Sequence, residues 1–134
     1  MITDRPTRIP VPGEDILYPS GPITGLPDHG KYIFGHVSYV LRGRGFEVIN
    51  PIELGRVEDG EYETYIRRDI REGVAKATAL VMLPGWPHSR GAMTELITAA
   101  NMGYPIGIWV GDPYDDPDEE TVLWMSDHRG MRPW

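Results

Sequence analysis

Residues 89–95 carry the clearest chemical potential in this sequence. They read Ser-Arg-Gly-Ala-Met-Thr-Glu and open a run with helical character that continues to Met102. A serine at the start of a helix offers a hydroxyl and free backbone N–H groups, which together bind phosphate and other anions. Glu95 lies six residues after Ser89, less than two helical turns away, and Gly91 leaves room for a ligand between them. The segment is therefore suited to hold a phosphate beside a carboxylate.

The same segment also has a purely structural interpretation. A serine before a helix is most often only the N-cap, and a glutamate in the second turn is most often solvated. Both interpretations stay open on this segment alone, so the remainder of the chain has to favour one of them.

Asp69 is the second carboxylate in an unusual place. The helical spacing of Tyr62, Ile66 and Gly73 puts Asp69 on or beside the face that turns to the sheet. A buried carboxylate costs several kcal/mol unless it is paired or used. Three arginines are close enough in sequence to pair with it: Arg67, Arg68 and Arg71. A structural ion pair and a functional role both remain open.

The hydrophobic pattern predicts alternating strands and helices. The predicted strands cover residues 15–20, 46–49, 79–83 and 105–110. The predicted helices cover residues 32–44, 62–77 and 89–102. Pro19 removes one ladder donor from the first strand, so we expect it near the end of that strand. Residues 1–14 contain three prolines and are predicted to form an extended arm, which leaves 15–134 as a single domain.

This alternation predicts a small doubly wound, Rossmann-like α/β fold. The parallel sheet should have four to five strands in the order 2-1-3-4, with helices on both faces. In that order the chain reverses direction between the first and third strands, and ligands bind beyond the carboxyl ends of strands at such a switch point. The loops 21–28 and 84–89 meet there. The fold therefore places a site at the start of the 89–102 helix.

Composition narrows the class of protein. The 134 residues suit one domain with one core, and 40% hydrophobic with 25% charged residues is typical of a soluble globular protein. A net charge of −7 argues against a general nucleic-acid binder, and residues 112–120, with six acids, are interpreted as a solvated loop. The sequence has no cysteine, no signal-peptide pattern and no apolar run of about 18 residues, so we expect a cytoplasmic protein without membrane contact.

Other common chemistries fit less well. The run Gly-Pro-Ile-Thr-Gly at 21–25 is neither a dinucleotide-binding fingerprint nor a P-loop. The four histidines show no metal-ligand spacing, so neither a metal nor an organic cofactor is predicted. Trp86, in the loop at the switch point, is placed either to stack on a base or to pack the loop.

Five short motifs occur in an order that is similar to a known family. They are Leu17-Tyr18, Gly-Pro-Ile-Thr-Gly at 21–25, Asn50-Pro51, Tyr-Ile-Arg-Arg-Asp at 65–69 and the segment 89–95. Together they resemble the nucleoside 2-deoxyribosyltransferase superfamily over about residues 16–110. The resemblance is to two branches: the 2'-deoxynucleoside 5'-phosphate N-hydrolases, and short deoxyribosyltransferase-like proteins of bacteria and their phages.

The resemblance implies roles for individual residues. Glu95 matches the family's nucleophile, Asp69 matches its aspartate near the departing base, and Tyr18 matches the tyrosine that orients the nucleophile and crowds the sugar's 2' position. Ser89 matches the serine of the phosphate hydrolases, where transferases acting on free nucleosides tend to carry an acid. Further substrate contacts are expected from Gly91, Gly21, Ile23, Gly25, Trp86 and Asn50.

The implied activity is that of an N-glycosidase. It would cleave the base–sugar bond of a 2'-deoxynucleoside 5'-monophosphate through a covalent glutamyl–sugar intermediate, giving free base and deoxyribose 5-phosphate without a cofactor. The family also implies a homodimer or larger homo-oligomer with shared active sites. Two alternatives remain: a nucleoside 2-deoxyribosyltransferase, and a sensor that binds a nucleotide without cleaving it.

Overall fold

The computed structural model describes residues 8–111 and 121–125. In these two ranges the chain forms five strands: β1 Ile16–Ser20, β2 Glu47–Val48, β3 Ala79–Met82, β4 Ile106–Trp109 and β5 Val122–Trp124. The same ranges contain the α-helices α1 Lys31–Gly43, α2 Tyr62–Arg68 and α3 Arg90–Asn101. A π-helix, Asp69–Val74, continues α2, and two short 3₁₀ helices cover Pro51–Leu54 and Trp86–His88.

The five strands form one sheet in the order β2-β1-β3-β4-β5. The strands β2, β1, β3 and β4 are parallel, so the predicted order 2-1-3-4 is confirmed. The short strand β5 was not assigned from the sequence and pairs antiparallel with β4. Gly107 permits this pairing, since a Cβ there would come within 2.6 Å of Val122. The result is a mixed, mostly parallel α/β sheet of Rossmann-like character.

Helices cover both faces of this sheet, as predicted. Alternate residues of the central strands point to opposite sides, so each face has its own core. One core packs α1 against the sheet through Leu17, Phe34, Val37, Leu41, Val81 and Leu83, among others. The other packs α3 and the π-helix against the sheet through Tyr18, Val74, Leu80, Met82, Leu96 and Ala99, among others. Tyr18 therefore lies on the same side of the sheet as Asp69 and α3.

The predicted single helix over residues 62–77 is wrong in its second half. From Asp69 the chain widens into the π-helix, where the amide of Ala75 donates to the carbonyl of Ile70 at 2.8 Å. The wider turn brings Gly73 directly against the aromatic ring of Tyr18. π-Helical turns are frequently found at functional sites. Here the π-helix begins at the carboxylate that sequence analysis singled out.

Replacing Gly73 by alanine should destabilise the protein. The new Cβ would lie 2.3 Å from Cε2 of Tyr18, whose ring is fully buried. Overpacking of this kind costs roughly 1–3 kcal/mol. Gly35→Ala in α1 is the matched control, because no described atom outside its own helix lies within 4 Å of a Cβ there. That control should gain roughly 0.5–1 kcal/mol. The measurement is the free energy of unfolding in urea for both variants. A Gly73→Ala variant as stable as the wild type would contradict this packing.

Pro19 lies inside a central strand without breaking it. Backbone groups of alternate residues point to opposite neighbours, and the carbonyl of Leu17 accepts from Ile49 on the β2 side. Pro19 therefore faces the β2 side as well, beyond Val48, the last residue of that strand. Its missing N–H costs no ladder bond at this position. The expectation that the proline lies near the end of β1 is confirmed.

The described part of the N-terminal arm is fixed to the domain. Arg8 forms two hydrogen bonds to Asp15, at 2.7 and 2.8 Å, and Asp15 also accepts from the backbone of Val11. The Arg8 guanidinium lowers the pKa of Asp15 to about 2. Residues 12–14 form a turn, so 8–14 are not extended throughout as predicted. The rest of the arm, residues 1–7, and the acidic segment 112–120 lie outside the described residues.

Within residues 8–111 and 121–125, no helix has the length and apolar character needed to cross a membrane.

Candidate active site

A cleft of about 230 Å³ opens at the carboxyl ends of β1 and β3, at the predicted switch point. Its walls come from the loop after β1, from the α2–π-helix segment and from the start of α3. The lining residues are Gly21, Pro22, Ile23, Thr24, Ile66, Asp69, His88, Ser89, Arg90, Gly91, Ala92 and Glu95. The cleft is slightly smaller than a complete small-molecule site, which usually measures about 300–1,000 Å³.

Glu95 is the buried carboxyl group of this cleft, with 5% of the residue exposed. It lies in the second turn of α3, and two hydroxyl groups of β1 hold its carboxyl. The hydroxyl of Tyr18 donates to Oε2, and the hydroxyl of Ser20 donates to Oε1 at 2.7 Å. Both carboxyl oxygens are therefore held by the strand below the helix, and the solvated alternative for Glu95 does not apply.

The surroundings of Glu95 raise the pKa of its carboxyl group into the neutral pH range. Burial raises its pKa to about 7, against the hydrogen bonds from Tyr18 and Ser20, which lower it. The nearby carboxylate of Asp69 adds to the upward shift. Burial likewise raises the pKa of Tyr18 well above its usual value, so this phenol stays protonated and donates to Glu95. Both the protonated and the ionised form of Glu95 are therefore populated near neutral pH.

Asp69 is the second buried carboxylate of the cleft, with 8% of the residue exposed. Arg68 pairs with it at 2.9 Å, and the same arginine donates to the backbone carbonyls of Leu54 and Gly55. Burial raises the pKa of Asp69 above its usual value, although the Arg68 guanidinium opposes this shift. The structural ion pair and the position at the cleft therefore occur together, and neither excludes the other.

The start of α3 forms another wall of the cleft, through Ser89, Arg90, Gly91 and Ala92. The Ser89 side chain caps the helix by accepting from the amide of Ala92 at 3.2 Å, which leaves its own hydroxyl hydrogen free to donate. The first N–H groups of a helix have no acceptor within it, and they carry the positive end of the helix dipole. Arg90 adds a cation at this wall, with its guanidinium 4.4 Å from the ring of Tyr62. This wall suits an anionic group.

Two glycines shape the cleft in different ways. A Cβ on Gly21 would lie 2.8 Å from Cβ of Leu83, so the loop after β1 can follow β3 closely only with glycine there. Gly91 lies at the lip between Ser89 and Glu95, where a Cβ would meet Tyr62 at an ordinary distance of 3.8 Å. Gly91 therefore matters more for open space in the cleft than for packing.

Six of the predicted site residues line the cleft together: Glu95, Asp69, Ser89, Gly91, Gly21 and Ile23. Tyr18 lies beneath it and reaches it through Glu95. Three other predicted residues are not among the lining. Gly25 is exposed in the loop after β1 with a positive φ of 90°, and Trp86 packs at the edge of the α3-side core. Asn50 caps the first 3₁₀ helix by accepting from the amide of Ile52.

Two residues that bind the carboxylates, Ser20 and Arg68, were not among the predicted site residues. Ser20 follows Tyr18 by two positions, and the period of a strand puts both side chains on one face, so this signal was present in the sequence. Arg68 was named only as one of three possible partners of Asp69. Its selection depends on the carbonyls of Leu54 and Gly55, which hold its guanidinium in place.

A second cavity of about 370 Å³ adjoins the loop after β1 and shares Pro22 with the cleft. Its lining is mainly apolar, from Leu26, Pro27, Tyr32, Ile33, Leu83 and Pro84 beside Asp28.

Over residues 8–111 and 121–125, no three histidine, aspartate or glutamate side chains gather in a way that would hold a metal ion.

The fold and the cleft define a mixed α/β protein with two buried carboxyl groups at the carboxyl end of a mostly parallel sheet. The model of a family described as a domain of unknown function, DUF4406, matches residues 15–108, and the chain belongs to that family. The match includes every residue that lines the cleft. A comparison with curated proteins gave no match to the chain.

Proposed function

We propose that this protein is an N-glycosidase that hydrolyses a 2'-deoxynucleoside 5'-monophosphate to the free base and deoxyribose 5-phosphate. The observation that carries the proposal is the Glu95 carboxyl group, buried at the cleft and held by the hydroxyls of Tyr18 and Ser20. A carboxylate oriented in this way is suited to form a covalent bond with a sugar carbon. The sequence resemblance assigns the same role to Glu95.

In the first half of the reaction an oxygen of ionised Glu95 bonds to C1' of the sugar. The bond between C1' and the base nitrogen breaks, and its electron pair leaves with the base. The transition state has the character of an oxocarbenium ion, which a nearby carboxylate stabilises. Because the pKa of Glu95 is about 7, this step should accelerate as the pH rises through neutrality.

Asp69, or a water that it holds, helps to protonate the departing base. It lines the same cleft as Glu95, and burial raises its pKa, which favours a protonated fraction that can donate. In the second half of the reaction water bonds to C1' and returns its proton to Asp69. Glu95 leaves as a carboxylate and deoxyribose 5-phosphate is released.

The start of α3 provides the phosphate site in this proposal. Ser89 has a free hydroxyl hydrogen, and the helix end directs unpaired N–H groups and the dipole to the same wall. Phosphate at this wall and the base near Asp69 would place the sugar over Glu95. The cleft volume of about 230 Å³ suits a sugar phosphate, with the base extending beyond it.

The direct test is incubation of the purified protein with each deoxynucleoside 5'-monophosphate, followed by chromatography for free base. Free base together with deoxyribose 5-phosphate would support the hydrolase. Exchange of base with an added second base would instead identify a transferase. Binding of a monophosphate without release of base would identify the nucleotide sensor, and absence of both binding and release would contradict all three functions.

Deoxyribonucleotides should be cleaved well ahead of the matching ribonucleotides. Tyr18 lies beneath Glu95 and its hydroxyl is bound to that carboxyl, so a 2'-hydroxyl on the sugar would crowd the pair. Rejection of a substrate that carries one extra hydroxyl group is typically worth a factor of up to about 10² in catalytic efficiency. The measurement is kcat/KM for a deoxynucleotide and its ribonucleotide, and equal values would contradict this orientation of the sugar.

A further inference from the structure

Among the described residues, Ser20 is the one side chain that donates a hydrogen bond to the Glu95 carboxyl without an assigned role in the proposed reaction. It is 1% exposed and is the last residue of β1. Its hydroxyl lies 2.7 Å from Oε1 of Glu95, whereas Tyr18 binds the other oxygen. An ionised carboxyl group is only an acceptor, so both hydroxyls must donate to it.

The backbone of Ser20 is as firmly held as its side chain. Its carbonyl accepts from the amide of Leu83 at 2.8 Å, and Ser20 pairs in register with Met82 of β3. Its hydroxyl is therefore presented from a central strand rather than from a loop. Groups on rigid elements fix the orientation of a reacting side chain better than groups on mobile segments.

We infer that Ser20 is a positioning residue for Glu95, and that the two hydroxyls of β1 together fix the plane of the carboxyl and favour its ionised form. A protonated Glu95 carries a hydrogen of its own and has less acceptor capacity than the carboxylate, so two donors stabilise it less well. Two simultaneous donors therefore favour the carboxylate over the acid. The inference rests on the proposed function only for its effect on turnover.

The experiment titrates Glu95 directly in protein labelled with ¹³C at glutamate side chains, with Glu95→Gln used to assign the signal. Ser20→Ala should raise the pKa of Glu95 by about one pH unit, a tenfold change in its ionisation constant. Ser38→Ala is the matched control, because Ser38 is equally buried and its hydroxyl has no partner among the described residues. That control should leave the pKa of Glu95 unchanged.

Turnover provides the second readout. At pH 7 the Ser20→Ala variant should lose roughly fivefold in kcat, and the acidic limb of its pH profile should move up by about one pH unit. KM should stay near the wild-type value, because Ser20 is not among the residues that line the cleft. If Ser20→Ala fails to fold, Ser20→Cys takes its place, since the weak S–H donor should also raise the pKa of Glu95.

The two readouts separate this inference from the proposed function. An unchanged Glu95 pKa in the Ser20 variant, or an equal shift in Ser38→Ala, would overturn the role of Ser20. A raised Glu95 pKa in Ser20→Ala, together with no release of base by the wild-type protein, would uphold the role of Ser20 and overturn the N-glycosidase. If the wild-type protein releases base and Ser20→Ala has the same pH profile of turnover, the N-glycosidase would be upheld and the role of Ser20 overturned.

Discussion

Glu95→Gln should abolish the release of base from every deoxynucleoside monophosphate. The amide is nearly the same size as the carboxyl but cannot form the covalent bond to C1'. Removing a nucleophile of this kind typically costs a factor of about 10³ or more in kcat. Binding of the monophosphate should persist, because the wall formed by Ser89 and the start of α3 is unchanged. Chromatographic release assays and calorimetric binding would measure the two effects.

A surface variant provides the control for this prediction. Glu53→Gln makes the same chemical change at an exposed residue, which pairs with Arg42 and lies outside the cleft lining. It should keep wild-type turnover. Near-normal turnover in Glu95→Gln would contradict the covalent mechanism. Equal losses of turnover in Glu95→Gln and Glu53→Gln would indicate a general effect on the protein.

Glu95→Gln should also change how the stability of the folded protein depends on pH. The pKa of Glu95 is about 7 in the folded protein, against an ordinary value of 4.5. Between these values the folded state binds more protons than the unfolded state, so stability falls as the pH rises through this window. Glutamine does not titrate. Glu95→Gln should therefore be more stable than the wild type at pH 8, by up to roughly 3 kcal/mol, and no more stable at pH 4.

The wild-type protein should prefer a deoxynucleoside 5'-monophosphate to the free nucleoside by about ten- to a hundredfold in kcat/KM. A phosphate at the start of α3 gains charge-assisted hydrogen bonds, each worth roughly 1.5–3 kcal/mol. Ser89→Asp should reverse part of this preference, because a carboxylate repels phosphate but accepts a hydrogen bond from a 5'-hydroxyl. The measurement is kcat/KM on the two substrates for each variant.

Two further variants at the same position isolate charge from capping. Ser89→Asn caps the helix as aspartate does but is neutral, so the difference between Asn and Asp reports the charge alone. Ser89→Ala removes the cap and the hydroxyl but keeps the backbone N–H groups, so it should cost less than Ser89→Asp. A wild type that prefers the free nucleoside would favour the transferase and leave Ser89 as an ordinary helix cap.

The local patterns of the chain were sufficient for most of the architecture. Short apolar runs predicted β1, β3 and β4, and helical spacing predicted α1 and α3, each to within about two residues. Strand β5 was not predicted, because its three residues, which follow a run of acids, show too little periodicity to be distinguished from a loop. The π-helix escaped because an α-turn and a π-turn use the same side-chain types, and the choice here involves the contact between Gly73 and the Tyr18 ring.

The sequence by itself determined that a serine and a glutamate share the start of one helix, and that this helix begins at the switch point of a parallel sheet. Both follow from spacing and strand order, which are local or nearly local properties. Only the tertiary structure decided that Glu95 is buried, because its two hydroxyl partners belong to a strand 75 and 77 residues earlier in the chain. The pKa of about 7 follows from that burial, and no pattern along the sequence encodes it.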